Sequence, residues 1–193
     1  MTSRSKITRR EFTASAILAP AALAIGATLA RPARAATAAE INAGADAALG
    51  SFYGKVQGGK SFVNSAKGVL IFPSIFQAGI GIGGSYGEGV LRVTGQPPEY
   101  YSSSQGSVGI QLGAQTQAMI ICFMQQTALD VFRASSGFTA GVDGSIALVN
   151  VGAGGVANTN TAQTPIVYFV FDNTGLMFNL SIAGTKFEHI TKQ

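Results

Sequence analysis

The sequence predicts an α+β fold, an N-terminal helix packed on a curved, mainly antiparallel, glycine-rich β-sheet with barrel-like curvature. Three observations carry this. A helical apolar period near residue 40 gives way, from Gly68 onward, to alternation with period two. Glycines recur inside the alternating segments, at Gly79, Gly81, Gly83, Gly84, Gly109, Gly113, Gly141, Gly144 and Gly184, and repeated strand glycines imply bulges and strong curvature. No long helices alternate with the strands, which argues against a doubly wound parallel sheet.

The chain opens with Arg4, Lys6, Arg9 and Arg10 and no acid in residues 1–10. An alanine-rich apolar stretch follows over residues 12–30, interrupted by Pro20 and Gly26, and Ala33-Arg34-Ala35 offers small residues at the two positions a signal peptidase reads. That is the layout of a secretory signal removed after export. Thr8-Arg9-Arg10-Glu11-Phe12 resembles the twin-arginine signature of bacterial export, with Thr13 and Ala14 departing from its last two positions. The expected organisation is a signal over 1–35 and one domain over 36–193, periplasmic or secreted. The alternative, an uncleaved anchor, would use an apolar run near the lower length limit for a span.

Removing the signal changes the charge. Residues 36–193 hold seven basic and eight acidic residues, a net of −1, so the basic balance of the whole chain belongs to the signal. Nucleic acid is therefore not an expected partner, because it calls for a basic patch on the folded domain. Fifteen charges in 158 residues fall well below the roughly 25% of ordinary soluble domains, and such a surface tolerates a membrane or a partner nearby. The only cysteine, Cys122, lies in an apolar run and reads as an inert core thiol. With one His and one Cys, a structural zinc site is excluded, and no cofactor is expected.

Thr37-Ala38-Ala39-Glu40 fits a capping box. Ile41, Ala45, Ala48, Leu49, Phe52, Tyr53 and Val56 follow at helical spacing, and Gly58-Gly59 stops the helix. A second short helix is expected over Ser61 to Ala66. Val69 to Phe72 reads as a strand ended by Pro73, and Val108, Ile110, Leu112 and Ala114 as the buried face of another. Met119 to Met124 and Ile166 to Phe171 are apolar throughout, which predicts strands covered on both faces. Thr127 to Ser135 is a single helix, with Leu129 and Phe132 apolar. Thr159 to Thr164 is a polar loop. Leu176, Phe178, Leu180 and Ile182 alternate after a turn at Asp172-Asn173-Thr174-Gly175.

Two enzyme-like patterns share one stretch. Gly79-Ile80-Gly81-Ile82-Gly83-Gly84 satisfies the G-x-G-x-x-G spacing, yet Ser85 to Val90 is poor helix material and a pyrophosphate site needs a helix there. Gly83-Gly84-Ser85-Tyr86-Gly87 satisfies G-x-S-x-G, and Ser85, then Asp130, Asp143 or Asp172, then His189 follow the hydrolase order. The nucleophile elbow needs the same missing helix, and His189 lies close to the C-terminus. The stretch reads instead as a glycine-rich hairpin bend, with His189 on the surface. No enzymatic activity is expected.

Several ordered motifs resemble those of the SYLF domains, also called the yeast actin-binding domain family. Ala66-Lys67-Gly68-Val69-Leu70-Ile71-Phe72-Pro73 is similar to the family's opening signature, and Ala78 to Leu91 to its glycine-rich core. Tyr101-Ser102, Gly106 to Gln115, Gly141 to Ser145 and Gly175 to Gly184 follow in order, so the resemblance spans about residues 40–190. It implies binding of membrane lipid, with actin binding in yeast members; an exported bacterial domain does not meet actin. The family's lipid binding is attributed to a basic amphipathic N-terminal segment. Here the first helix carries Glu40, Asn42 and Asp46 on its polar side and reaches a base only at Lys55. The basic lipid-binding candidates are Lys55, Lys60 and Lys67, of which only Lys67 lies in a matching motif. The expected function is an exported, non-catalytic lipid- or membrane-binding module, contacting membrane or holding an acyl chain. The alternative is a structural envelope protein that binds another protein through its sheet surface.

Overall fold

The computed structural model describes residues 35–144, 147–148, 164–171 and 182–192. All but the last residue of the export signal expected over 1–35, most of the loop from Thr159, the turn at Asp172 to Gly175 and the alternating Leu176, Phe178 and Leu180 lie outside the described residues. The chain divides into Met1–Ala35 and a compact unit, Ala36–Gln193; the elements below belong to the second.

Helix α1 spans Ala38–Lys55. Its capping box forms as expected: the Glu40 amide donates to Thr37 Oγ1 at 3.2 Å, and the Thr37 amide donates to Glu40 Oε2 at 2.7 Å. Two otherwise unpaired donors of the first turn are thereby satisfied. Ile41, Ala45, Ala48 and Phe52 form its buried stripe. Gly58 takes a left-handed φ of 78°, and α2 begins at the next residue and covers Gly59–Ser65.

A long antiparallel ribbon follows. Strand β1 is Gly68–Arg92 and β2 is Glu99–Phe123, paired from Gly68↔Phe123 to Leu91↔Glu99. The chain reverses through residues 93–98, where Gly95 has φ 76°. Helix α3 (Gln126–Ala134), β3 (Phe138–Thr139), β4 (Ala147–Leu148), β5 (Ile166–Phe171) and β6 (Lys186–Ile190) complete the described elements. Strand β2 is the axis of the sheet. One of its edges pairs with β1, while the other pairs with β6 at Tyr100–Ser104 and with β5 at Ala118–Phe123. Strand β3 pairs antiparallel with β6, and β4 pairs with β5 in the only parallel pairing among the described strands. The architecture is the helix-backed, curled, mainly antiparallel sheet that the sequence predicts.

The separate strands expected at Val69–Phe72, Val108–Ala114 and Met119–Met124 are instead two continuous ones. Pro73 does not end its strand. It sits in a register shift between Phe72 and Ile75, where its missing N–H disturbs no ladder bond. The glycine-rich bend expected at Gly83–Gly87 is likewise paired strand, Gly83↔Ser107 through Gly87↔Ser103. Gly141 and Gly184, expected inside strands, occupy turns with φ 82° and 81°.

A straight strand of 25 residues would run roughly 80 Å, whereas a domain of this length has a radius of gyration of about 15 Å. The ribbon therefore folds back. A Cβ placed on Gly89 would lie 2.5 Å from the Ile71 carbonyl oxygen and 2.7 Å from the Phe72 ring, and one on Gly87 2.8 Å from the Ser74 oxygen. The far end of β1 thus rests directly on its near end, and only glycine fits between them.

The folded sheet buries both faces. Leu70, Phe72, Ile75 and Leu91 of β1 join Tyr101, Met119, Ile121 and Phe123 of β2 and Ile166, Tyr168 and Val170 of β5 in one core, closed by Leu129 and Phe132 of α3 and Phe187 of β6. Phe72 and Ile75 share this face although three residues apart, because the register shift between them supplies one extra residue. Val69, Ile71, Ile120, Cys122, Val167, Phe169 and Phe171 point the other way, under α1 and α2. There the Phe52 ring lies tilted with its centre 4.7 Å from that of Phe169, and Phe62 meets the same ring edge-on at 5.6 Å. The runs Met119–Met124 and Ile166–Phe171 are buried on both faces, as their composition predicts.

Two substitutions of like chemistry should have opposite effects. Gly89→Ala should destabilise by about 2–3 kcal/mol, lowering the melting temperature by roughly 5–10 °C. Gly50→Ala, in α1 with nothing within 4 Å of the new Cβ, should stabilise by about 0.5–1 kcal/mol. Thermal unfolding of both variants checks the fold-back: equal effects would contradict it.

Candidate functional site: an uncharged, partly apolar ribbon

No Asp, Glu, Lys, Arg or His occurs between Lys67 and Glu88, or between Glu99 and Asp130. These intervals hold most of β1 and nearly all of β2, so the pairing lays one uncharged strand against another. At the base of the ribbon this is ordinary core. In its middle the ribbon leaves both cores, and apolar side chains reach solvent: Phe76 is 53% exposed, Ile82 77% and Tyr86 53%. Polar decoration there is neutral, as in the cross-strand bond from Gln115 Nε2 to Gln77 Oε1 at 3.2 Å. The Tyr86 hydroxyl donates to Glu88 Oε1 at 3.0 Å, and burial together with that carboxylate raises its ionisation above the ordinary tyrosine range. Among the described strands β1 pairs with β2 alone.

The three lysines singled out in the sequence lie elsewhere. Lys55 closes α1 with its ammonium 5.6 Å from the centre of the Phe171 ring. Lys60 is exposed on α2, and Lys67 is exposed where the chain enters β1, its amide donating to the Phe123 carbonyl at 2.7 Å. All three belong to the helical layer and its exit, whereas Phe76, Ile82 and Tyr86 lie farther along β1. The polar side of α1 is also engaged. Arg92 pairs with Asp46 at 2.5 Å and donates to Asn42 Oδ1 at 3.2 Å, and Asn42 Nδ2 donates to the Tyr100 hydroxyl at 2.8 Å. Arg92 and Tyr100 thus tie this side of α1 to the ribbon, while Glu40 and Asp46 themselves stay exposed.

Phe76 lies in no motif, and Ile82 and Tyr86 fall only at the variable positions of the glycine patterns, so none of the three stands out as a site candidate in the sequence. Alternation alone assigns an apolar strand residue to a core. The available signal was the coincidence of two charge-free intervals in segments that pair.

The enzyme-like patterns have no catalytic geometry. Ser85 is a strand residue opposite Gln105, with no helix after it. His189 pairs in register with Tyr101, which pairs with Gly89. Two strand spacings across and four residues along place Ser85 and His189 roughly 16 Å apart, measured along the sheet. His189 is exposed, as expected, but it is held within β6 and packs edge-on against Tyr101 at 5.3 Å. Asp130 accepts from Gln126, and Asp143 accepts from the Thr139 amide at 2.6 Å; Asp172 lies outside the described residues. The G-x-G-x-x-G glycines fall within paired β1 as well, with no helix to receive a pyrophosphate.

Cys122 is fully buried under α1, and desolvation pushes its thiol up to about 12. The thiolate is the reactive form, so native protein at neutral pH should resist thiol-disulfide reagents. Labelling should proceed only at the rate of unfolding, and stoichiometric labelling within seconds would contradict this placement.

The fold and the ribbon define a helix-backed, curled-sheet domain with an uncharged surface strip. The model of the family described as Ysc84, Las17-binding protein actin regulator, matches residues 104–192. This is the SYLF family of the sequence resemblance, and the match runs from within β2 through β6. No curated protein matches the chain.

Proposed function

We propose that this protein is an exported, non-catalytic module that binds lipid by laying the middle of its β1–β2 ribbon on a membrane interface. The observation that carries the reading is the exposure of Phe76, Ile82 and Tyr86 on a strip without charge. Inserting a side chain of this size into an apolar phase contributes about 1.5–3 kcal/mol when it starts fully exposed. Three partly exposed ones together supply a few kcal/mol, roughly a hundred-fold or more in partition. The absence of charge matters as much, since a buried ion would cancel that gain. Aromatic residues with a polar tip, such as Tyr86, suit the headgroup level. Electrostatic capture contributes less. Each basic residue near an anionic surface is worth about 1 kcal/mol, the lysines sit off the strip, and residues 36–193 carry a net charge of −1. The N-terminal signal layout supports a periplasmic or secreted setting.

A second reading has its own support. The matched family is described by a protein it binds, and a strand edge that no other described strand pairs with, beside apolar side chains, also suits an extended segment of another protein. This is the structural envelope role expected as the alternative.

Vesicle flotation of the mature protein separates these. Binding to neutral phosphatidylcholine vesicles should persist at high salt and fall roughly ten- to a hundred-fold in the Phe76→Ser/Ile82→Ser variant, whose melting temperature should stay close to the parent. The Lys55→Gln/Lys60→Gln/Lys67→Gln variant should change neutral-vesicle binding less than about three-fold. Failure to bind neutral or anionic vesicles would overturn the lipid reading and favour the protein partner. Binding confined to anionic vesicles and lost with the lysines would move the site to the helical layer.

A further inference from the structure

Glu88 ends the uncharged part of β1, and three groups converge on it, two of them from distant parts of the chain. The Lys192 ammonium lies 2.8 Å from Glu88 Oε2, with both side chains nearly buried at 10% and 11% exposure. The Tyr86 hydroxyl donates to Oε1. The third donor is the backbone nitrogen of Ala36, 3.1 Å from Oε2. Ala36 also packs against the core beneath α1, while Ala35 beside it is exposed and outside any helix.

Ala35–Ala36 is the peptide bond that the Ala33-Arg34-Ala35 pattern marks for a signal peptidase. We infer that processing at this bond creates a second cationic partner for Glu88: the new α-ammonium of Ala36 is captured in the seat its amide already occupies, tying both ends of the mature domain to one carboxylate of β1. This rests on the export reading. The step is a hydrolysis. Water adds across the Ala35–Ala36 bond, the leader leaves with the Ala35 carboxylate, and the released amine takes up a proton. A donor with one hydrogen becomes an ammonium with three, and the bond to Glu88 becomes charge-assisted on both sides.

The local charges favour this outcome. The groups around the new terminus are Glu88 and the Tyr86 hydroxyl from β1, Lys192 beyond β6, and Glu40 from the first turn of α1, whose Oε2 accepts from the neighbouring Thr37 amide. Before cleavage two carboxylates face one ammonium; afterwards the charges balance. Lys192 and the positive end of α1 oppose the new charge. Lys192 shares Oε2 of Glu88 with the new terminus, so the one carboxylate stands between the two ammonium groups.

The sign of the pH dependence follows. An α-amine captured by a carboxylate has its folded ionisation raised above the ordinary value of about 7.7–8.0. The stability it adds is fully present below that value and is lost as pH rises through the folded one.

The test begins with the intact mass of the protein accumulating in a host that has the twin-arginine route, followed by the pH profile of N-terminal labelling by acetic anhydride on the purified processed chain. The expected species starts at Ala36, and its amine titrates above the ordinary value. Glu88→Gln should return the amine to the ordinary range, and Glu88→Asp should keep part of the shift. A chain retaining Ala35 at its N-terminus should melt lower than the processed chain near neutral pH, with the difference fading as pH rises; this comparison needs no substitution at Glu88. A start at Ala36 with an unshifted amine would overturn the capture and leave export standing. A start at another residue would overturn the capture as well, and an unprocessed chain retained in the cytosol would overturn capture and export together.

Discussion

Close approach of one strand to itself is the constraint on which the rest of this structure depends. Strand β1 is too long to remain straight within one domain, and its far end lies on its near end at Gly87 and Gly89, where a Cβ would fall within 3 Å of backbone oxygens. Folding the ribbon in this way brings Leu91 and Tyr101 into the same core as Leu70 and Phe72. It also leaves room on the other edge of β2 for both β5 and β6. Without the fold-back the ribbon would be an isolated two-stranded hairpin, which has little stability in water.

That geometry also decides where the chain meets its surroundings. The base and the far end of the ribbon are inside the domain, so the stretch between them must lie outside. It carries apolar side chains and no charge. Charge is concentrated instead at the points that fix the ends: Arg92 to Asp46 on α1, Arg133 to Glu99 at the start of β2, and Lys192 to Glu88. Glu99 also accepts from the Tyr101 hydroxyl at 3.0 Å, so its carboxylate joins α3 to the core side of β2. These ion pairs bracket the ribbon and keep its middle free of charge, and the same separation supports the membrane reading.

Much of the fold was legible in the sequence because it rests on local chemistry. The Thr37–Glu40 box, the helical stripe ending before Gly58, the helix around Leu129 and Phe132, and the doubly buried runs at Met119 and Ile166 each follow from propensity or periodicity within about ten residues. The joins between strands were not legible. Pro73 and the glycine-rich stretch carry the ordinary signals for ending a strand, and both signals were overridden by pairing with β2. A proline at a register shift loses no ladder bond, and glycines in a paired ribbon give curvature in place of a turn.

The candidate site shows the same division. By itself the sequence determined the composition of the site: two long stretches without charge, a core thiol without partners for metal binding, and glycine patterns lacking the helix that catalysis would need. Only the tertiary structure decided which apolar residues are buried and which are offered. Ile75 and Phe76 are neighbours in one strand, yet one is in the core and the other half exposed, because the register shift at Pro73 and the fold-back at Gly89 set which side of the sheet is covered. The lysines stood out because charge is conspicuous in a sequence, while exposure depends on contacts between residues far apart in the chain, which local pattern does not encode.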